Sequence, residues 1–336
     1  MSTTCKVLPG GPIFLGNSVS ADGASWTRPT RVISHVHDDH FREFEQSLGS
    51  QDPLVMLPAT LDLVYAIKGP HALRLRRNLK AIPADTPEII NAERITLTAA
   101  NHILGSAQVT VETGDGKRYG YTGDFWWPIT PLKGLDELVL DATYGNPEYV
   151  RSYSEDQVAE ELVTLVRRLL DEGKRVCIKA VTGRLQYVMQ LLQAHIRVPF
   201  LAGKKQTAVA AVYQCYGCLA DPVLDRHDTR GQAIITARER HLSFHHLGEK
   251  VPESDFDAFV IVSAYMVPRE EPIVQYGDKT YRVALTDHAD FHGTIDYVAA
   301  ASPKVVIVDN SRGGDARTLA EEIRARLSIR AVVGGA

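Results

Sequence analysis

The chain is short of several things that would settle its class at once. It has 4 cysteines in 336 residues, too few to staple a disulfide scaffold, which points to a reducing compartment. It has no surplus of positive charge. Its 37 Lys and Arg stand against 41 Asp and Glu, a formal net charge of -4, so contact with nucleic acid must rest on a local patch or on bound metal. Long apolar runs are missing too. The longest, Phe256 to Val267, covers about a dozen residues with Asp257 inside it, where a membrane helix needs about twenty. Met1 to Gly10 holds no apolar stretch of the signal-peptide kind, so the expected location is cytoplasmic, with no membrane partner. There is no low-complexity tract and no repeat of fixed period. What remains is an ordinary globular composition, 44% apolar and 23% charged, with length for about two domains of roughly 150 residues.

Short β-branched runs fill the first 145 residues. Arg31–His35, Arg94–Ala99, Gln108–Glu112 and Leu138–Asp141 read as strands, and one or two helices fall between Ala59 and Arg77. The character changes near residue 150. Ser154 with Gln157 fits a capping box, and Val158, Leu162, Leu165, Val166 and Leu169 recur at helical spacing until Gly173. A strand over Arg175–Val181 and a helix opening at Gly183 and Arg184 follow, an alternation that calls for a parallel sheet. Strands return at Phe259–Val262, Tyr281–Thr286 and Lys304–Val308. A last helix is expected from Thr318, with Glu321 closing a capping box. The class is α/β, with a first domain over 1–148, an inserted domain over 149–262 and the rest of the first domain over 263–336.

The densest chemistry is Ser34-His35-Val36-His37-Asp38-Asp39-His40, just after a strand. Three of the 12 histidines of the chain gather here with two carboxylates. Imidazole nitrogen and carboxylate oxygen are natural ligands of zinc or manganese where no thiolate is offered. His35 and His37 alternate, so an extended segment points both the same way. Asp39 and His40 fall on the following turn and can serve a second ion. Exposed loop polars are the duller reading, and a weak one for so scarce a residue.

The segment resembles the HxHxDH signature of the metallo-beta-lactamase-like hydrolases. Similar matches follow in the same order: Asn101-His102 to Gln108, Tyr121-Thr-Gly-Asp124, Asp141-Ala-Thr-Tyr-Gly145 and Leu285-Thr-Asp-His288-Ala-Asp-Phe291. Thr182-Gly-Arg184-Leu-Gln186 resembles the helix start of an inserted cap. Together they resemble the beta-CASP nucleases, which include ribonuclease J, pre-mRNA 3'-end processing factors and exonucleases associated with DNA ligase or crosslink repair.

The resemblance implies a metallo-beta-lactamase αββα sandwich with an inserted α/β beta-CASP cap. It implies two zinc ions, with manganese as the alternative, and hydrolysis of DNA or RNA phosphodiesters by two-metal activation of water. His35, His37 and His102 would hold one ion, Asp39 and His40 the other, and Asp124 would bridge them. Asp39, Asp141 and His288 are the implied catalytic residues. Asp141 would orient a ligand histidine, or simply cap a strand end; His288 would act as general acid, touch phosphate or complete the second metal shell. A histidine of the pattern is missing after the last strand. Asp309 stands in its place and is the expected oxygen ligand of the second ion.

Candidate nucleic-acid contacts are Gly105, Ser106, Arg184 and the basic stretch Lys68–Lys80, with Arg74, Arg76 and Arg77. A solvated helix face accounts for the same charges. Tyr213 and Tyr216 can stack on bases or pack inside. Cys215-x-x-Cys218 is half of a zinc site that His227, His241, His245 or His246 could complete, or else two unlinked thiols. The expected partner is DNA or RNA, single-stranded or at an end, and a homodimer or a repair or processing complex stays open. Two other classes compete: hydrolysis of a small phosphoester or thioester, and an inactive scaffold. The missing histidine favours the scaffold; the intact His35–His40 cluster weighs against it.

Overall fold

Alternation along short strands decides how the first part of the chain packs. The structure is a computed structural model that describes residues 3–50, 52–69, 73, 76–264 and 268–335. They form two units, Met1–Val150 with Asp287–Ala336, and Arg151–Thr286.

In the first unit, one sheet runs β1 (Lys6–Val7), β2 (Ile13–Leu15), β3 (Val19–Ala21), β4 (Thr30–Val32), β5 (Leu54–Met56) and β6 (Leu79–Ala81), neighbours in space as in sequence. Helices α1 (Phe44–Ser50) and α2 (Pro58–Lys68) follow β4 and β5. The other sheet runs β20 (Arg330–Gly334), β19 (Val305–Asp309), β11 (Glu137–Leu140), β10 (Arg118–Tyr121), β9 (Ala107–Glu112), β8 (Glu93–Ala99) and β7 (Glu88–Ile90). Successive residues of a strand face opposite ways. Val139 and Ile307 therefore join Ile13, Leu15, Val109 and Val111 in a core between the sheets. Their neighbours Leu138, Leu140, Val306 and Val308 turn to α7 (Phe291–Ala301) and α8 (Ala316–Leu327). Helix α8 begins two residues before the expected Thr318. Asp315 is the cap, its carboxylate accepting from the Thr318 N–H at 3.0 Å, so the threonine lies inside the first turn.

The second unit holds a sheet in the order β14 (Leu224–Asp225), β13 (Phe200–Ala202), β15 (Leu242–His246), β12 (Val176–Ala180), β16 (Ala258–Val262), β18 (Thr280–Val283), β17 (Ile273–Tyr276). All described pairs are parallel except β17 with β18. Helices α3 (Glu155–Asp171), α4 (Arg184–Gln193), α5 (Lys204–Cys215) and α6 (Thr229–Thr236) connect its strands. Ser154 caps α3, accepting from Gln157 N–H at 3.2 Å, and Val158, Leu162, Val166 and Leu169 are buried. The sequence reading ends the inserted domain at 262, whereas the compact unit continues to Thr286. The reason is pairing: β16 continues the sheet from β12, and β18 continues it from β16. No described helix is long and apolar enough to cross a membrane.

Candidate metal centre

The site is built by fixing one nitrogen of each imidazole and leaving the other to point inward. Asp22 follows β3 at φ 58°, a left-handed backbone that aspartate tolerates better than most side chains. Its buried carboxylate accepts from the Ser34 N–H and hydroxyl, each at 2.7 Å, and meets His40 Nδ1 at 2.8 Å. The Ser34 hydroxyl, donating to Asp22, is left to accept from His35 Nδ1 at 2.9 Å. His102 Nδ1 lies 2.8 Å from the Asp287 carbonyl oxygen, and His288 Nδ1 lies 3.1 Å from Asp141 Oδ2.

Four Nε2 atoms are thereby turned to one carboxylate oxygen. Asp124 Oδ2 lies 3.2 Å from His40, 3.6 Å from His35, 3.8 Å from His102 and 3.9 Å from His288. Asp39 Oδ2 stands 3.4 Å from His40 Nε2 on the same side. His37 Nδ1 reaches to 3.1 Å from His102 Nε2. Gly123 makes the approach of Asp124 feasible: it turns at φ 57°, and a Cβ there would come 2.8 Å from the Ala107 carbonyl oxygen.

Donor atoms of His35, His37, His102 and Asp124 all lie within 4.8 Å of one another. So do those of His102, Asp287 and His288, and those of Asp124, Asp141 and His288. The residues fit a metal ion on a direct test. His35 Nε2 and His40 Nε2 are buried and have no hydrogen-bond partner, a costly arrangement that a cation between them and Asp124 would relieve.

Charge is sorted sharply in this cluster. Burial and the neighbouring His40 and His37 hold the His35 imidazolium well below its usual range. Burial also brings His102 down to about 4. Burial pulls His40 and His288 the same way, but carboxylates outweigh it. Asp124 and Asp22 carry His40 well above its ordinary value, and Asp124, Asp141 and Asp287 carry His288 to about 9. Burial opposes ionisation of Asp124 and Asp39 as well, yet His40 and His288 keep Asp124 well below the usual carboxylate range, and His40 brings Asp39 to about 2.

Other expected site residues fall elsewhere. Asp309 is not in the donor groups found among the described residues. Its Oδ1 accepts from the Ser311 N–H at 2.7 Å and hydroxyl at 2.6 Å, and its Oδ2 pairs with Arg312 Nη1 at 2.6 Å. Ser106 is buried, its hydroxyl accepting from the N–H groups of His102 at 3.0 Å and Ile103 at 3.2 Å. It shapes the loop that carries His102, and the Thr60 hydroxyl donates to the Gly105 carbonyl beside it. Arg76 and Arg77 are exposed; Arg74 lies outside the described residues. In the second unit Arg184 is half-buried at the first position of α4, Tyr213 is buried and Tyr216 exposed. Cys215 and Cys218 are free, and neither is in a donor group among the described residues. His245, a candidate partner for them, instead meets Arg226 Nη1 at 2.7 Å and Glu249 Oε1 at 3.0 Å.

Asp22 and Arg31 escape sequence reasoning. Neither falls in a motif, and their partners are remote in the chain. Arg31 is fully buried, donating to the Ser47 hydroxyl at 2.5 Å and to the carbonyls of Asp22 at 3.2 Å and Arg42 at 2.8 Å.

Inward-turned imidazoles around a carboxylate, on loops that follow the strands of a two-sheet α/β unit, define a metal-binding protein. No protein-family model matches the chain. It is 36% identical over 131 residues to an uncharacterized protein in the lig 3' region of Acidianus ambivalens, covering 38% of this chain and 92% of that one. It is 24% identical over 326 residues to a probable DNA ligase of Opitutus terrae, covering 90% of this chain and 28% of the ligase. With the transcription termination factor FttA of Thermococcus kodakarensis the identity is 25% over 308 residues, 81% of this chain and 44% of the factor. A protein of unknown function from Enterococcus faecalis shares the fold, with a TM-score of 0.60 at 14% identity over 83% of this chain and 74% of that one. The chain thus spans less than half of the ligase and of the termination factor. It belongs to the metallo-beta-lactamase superfamily, in its beta-CASP branch.

Proposed function

We propose that the chain is a metal-dependent phosphodiesterase that hydrolyses nucleic acid. The observation that carries this reading is the convergence of His35, His40, His102 and His288 on Asp124 Oδ2 within 3.9 Å. Imidazoles serve one ion each, while a carboxylate can span two, so this donor set suits a binuclear centre of zinc or manganese. His35, His37 and His102 would hold one ion, Asp39 and His40 the other, with Asp124 between. When bound, such ions activate water and neutralise charge on phosphate. In this reading the first unit is an αββα sandwich and the second is the beta-CASP cap.

The protein's own groups divide the remaining work. Asp22, Ser34 and the Asp287 carbonyl orient the ligand imidazoles. His288 is held at Nδ1 by Asp141, which turns Nε2 inward as the atom that could give a proton to a leaving oxygen. The near-complete alignment with a probable DNA ligase favours DNA as the polymer, and the alignment with termination factors makes RNA the comparison. Matched end-labelled single strands of DNA and RNA, incubated with wild type and His37→Ala across zinc and manganese, test this. Cleavage of a strand by wild type alone is expected. Intact strands throughout would remove the reading and move attention to small phosphoesters or thioesters.

A further inference from the structure

The two sides of the centre are unequally furnished. One gathers His35, His37 and His102 around Asp124; the other has His40 with Asp39, and His288, 3.9 Å from Asp124 Oδ2, is tied at Nδ1 to Asp141. Asp309, the oxygen ligand that the sequence leads one to expect for the second ion, is instead bonded to Ser311 and Arg312. Arg312 is itself 10% exposed, and it donates through Nη1 to Asp309 Oδ2 at 2.6 Å and through Nη2 to the Gly11 carbonyl at 2.5 Å. Gly11 shows how near this cation comes to the metal loop. A Cβ there would lie 3.1 Å from Arg312 Nη2 and 3.8 Å from the Asp39 carbonyl oxygen, so guanidinium and Asp39 backbone border the same small space. Burial works against the charge on Arg312, but the carboxylates of Asp22, Asp309 and Asp124 favour it and hold it above its ordinary value.

We infer that Arg312, anchored by Asp309, is a fixed cation in the wall beside Asp39 and His40, and that it makes the second ion weakly bound and exchangeable while the first stays tight. The inference rests on the metal-centre reading above. Two effects act in one direction. A guanidinium stays charged at any working pH and repels a dication nearby, and the salt bridge withholds a carboxylate that could otherwise ligate. Such a centre would gain its second ion only at elevated metal concentration, which makes metal supply a control on activity.

Zinc affinity of the full chain, measured by competition with a chromogenic chelator and checked by elemental analysis, tests this without any reading of activity. Wild type is expected to bind its first ion about a hundredfold more tightly than its second. Arg312→Gln, which keeps a hydrogen bond to Asp309 but no charge, is expected to tighten the second ion about tenfold and leave the first unchanged. Arg312→Lys, which keeps the charge, should behave as wild type. Two equally tight ions in wild type overturn the inference with no variant needed, and so does Arg312→Gln with an unchanged or weaker second ion. Since only affinities are read, the inference can fail while the nuclease reading stands, and the reverse.

Discussion

His40 meets the buried carboxylate of Asp22 through Nδ1 at 2.8 Å, and this contact decides which way the metal loop faces. With Nδ1 held, Nε2 is turned to Asp124 and Asp39, at 3.2 Å and 3.4 Å. The same carboxylate holds Ser34, and through its hydroxyl the ring of His35. Asp22 thus sets two candidate ligands without itself belonging to a donor group among the described residues.

Replacing it should therefore cost metal before it costs fold. Asp22→Asn keeps the volume but offers one acceptor where three donors now converge. Zinc affinity is expected to fall about 10- to 100-fold, the usual cost of losing an outer partner of a ligand histidine. Asp22→Ala also leaves buried Ser34 donors unpaired, at about 1–3 kcal/mol each, which a urea titration of the metal-free protein would show. Wild-type zinc affinity in Asp22→Asn would contradict the role.

His288 offers a pH test in the metal-free chain. Its folded pKa of about 9 lies above the unfolded value of about 6.5, so the protonated ring favours the folded state. That contribution is complete below about pH 6.5 and is lost as pH rises through about 9. An NMR titration of the ring should give the high value and a clear drop in Asp141→Asn. A ring titrating near 6.5 in both proteins would mean that the carboxylates do not hold it.

His245 in the second unit carries the opposite sign. Burial and Arg226 bring it down to about 4 despite Glu249, with Lys179 also opposing its charge and Ser243 hydrogen-bonded to the ring. The unfolded chain then takes up a proton that the folded one refuses. Stability should fall as the solution is acidified from about pH 6.5 to about 4, and His245→Phe should flatten that part of the profile. Equal slopes in the two proteins would remove His245 as the cause.

Ser106 and the basic stretch separate two roles that the sequence runs together. Ser106→Ala leaves two buried N–H groups of the His102 loop without their acceptor, so stability should drop by about 1–3 kcal/mol and zinc affinity with it. Arg76→Ala and Arg77→Ala should leave zinc alone and, if these side chains touch phosphate, lower the salt dependence of strand binding by about one unit of slope each. Unchanged zinc affinity in Ser106→Ala would return Ser106 to the candidate contacts.

Much of this was legible because metal donors cluster in sequence before they cluster in space. His35, His37, Asp39 and His40 sit on one loop, and His102, Asp124, Asp141 and His288 each follow or approach a strand end. The hidden parts act through partners remote in the chain. Asp22 carries no mark of its role until His40 is placed against it. Asp309 reads as a ligand until Arg312, three residues on, is seen to occupy it. The far limit of the second compact unit is hidden for a similar reason: which sheet a strand joins depends on its neighbours, and β18 carries no mark of its pairing with β16.

The central claim, that Asp124 gathers metal for phosphodiester cleavage, is tested most directly by measuring bound zinc and strand cleavage together in wild type and Asp124→Asn. The account predicts metal and end-labelled product in wild type, and the loss of both in the variant, with its fold retained by circular dichroism. Asp124→Asn that binds metal and cuts as wild type does, or wild type that does neither, would contradict it.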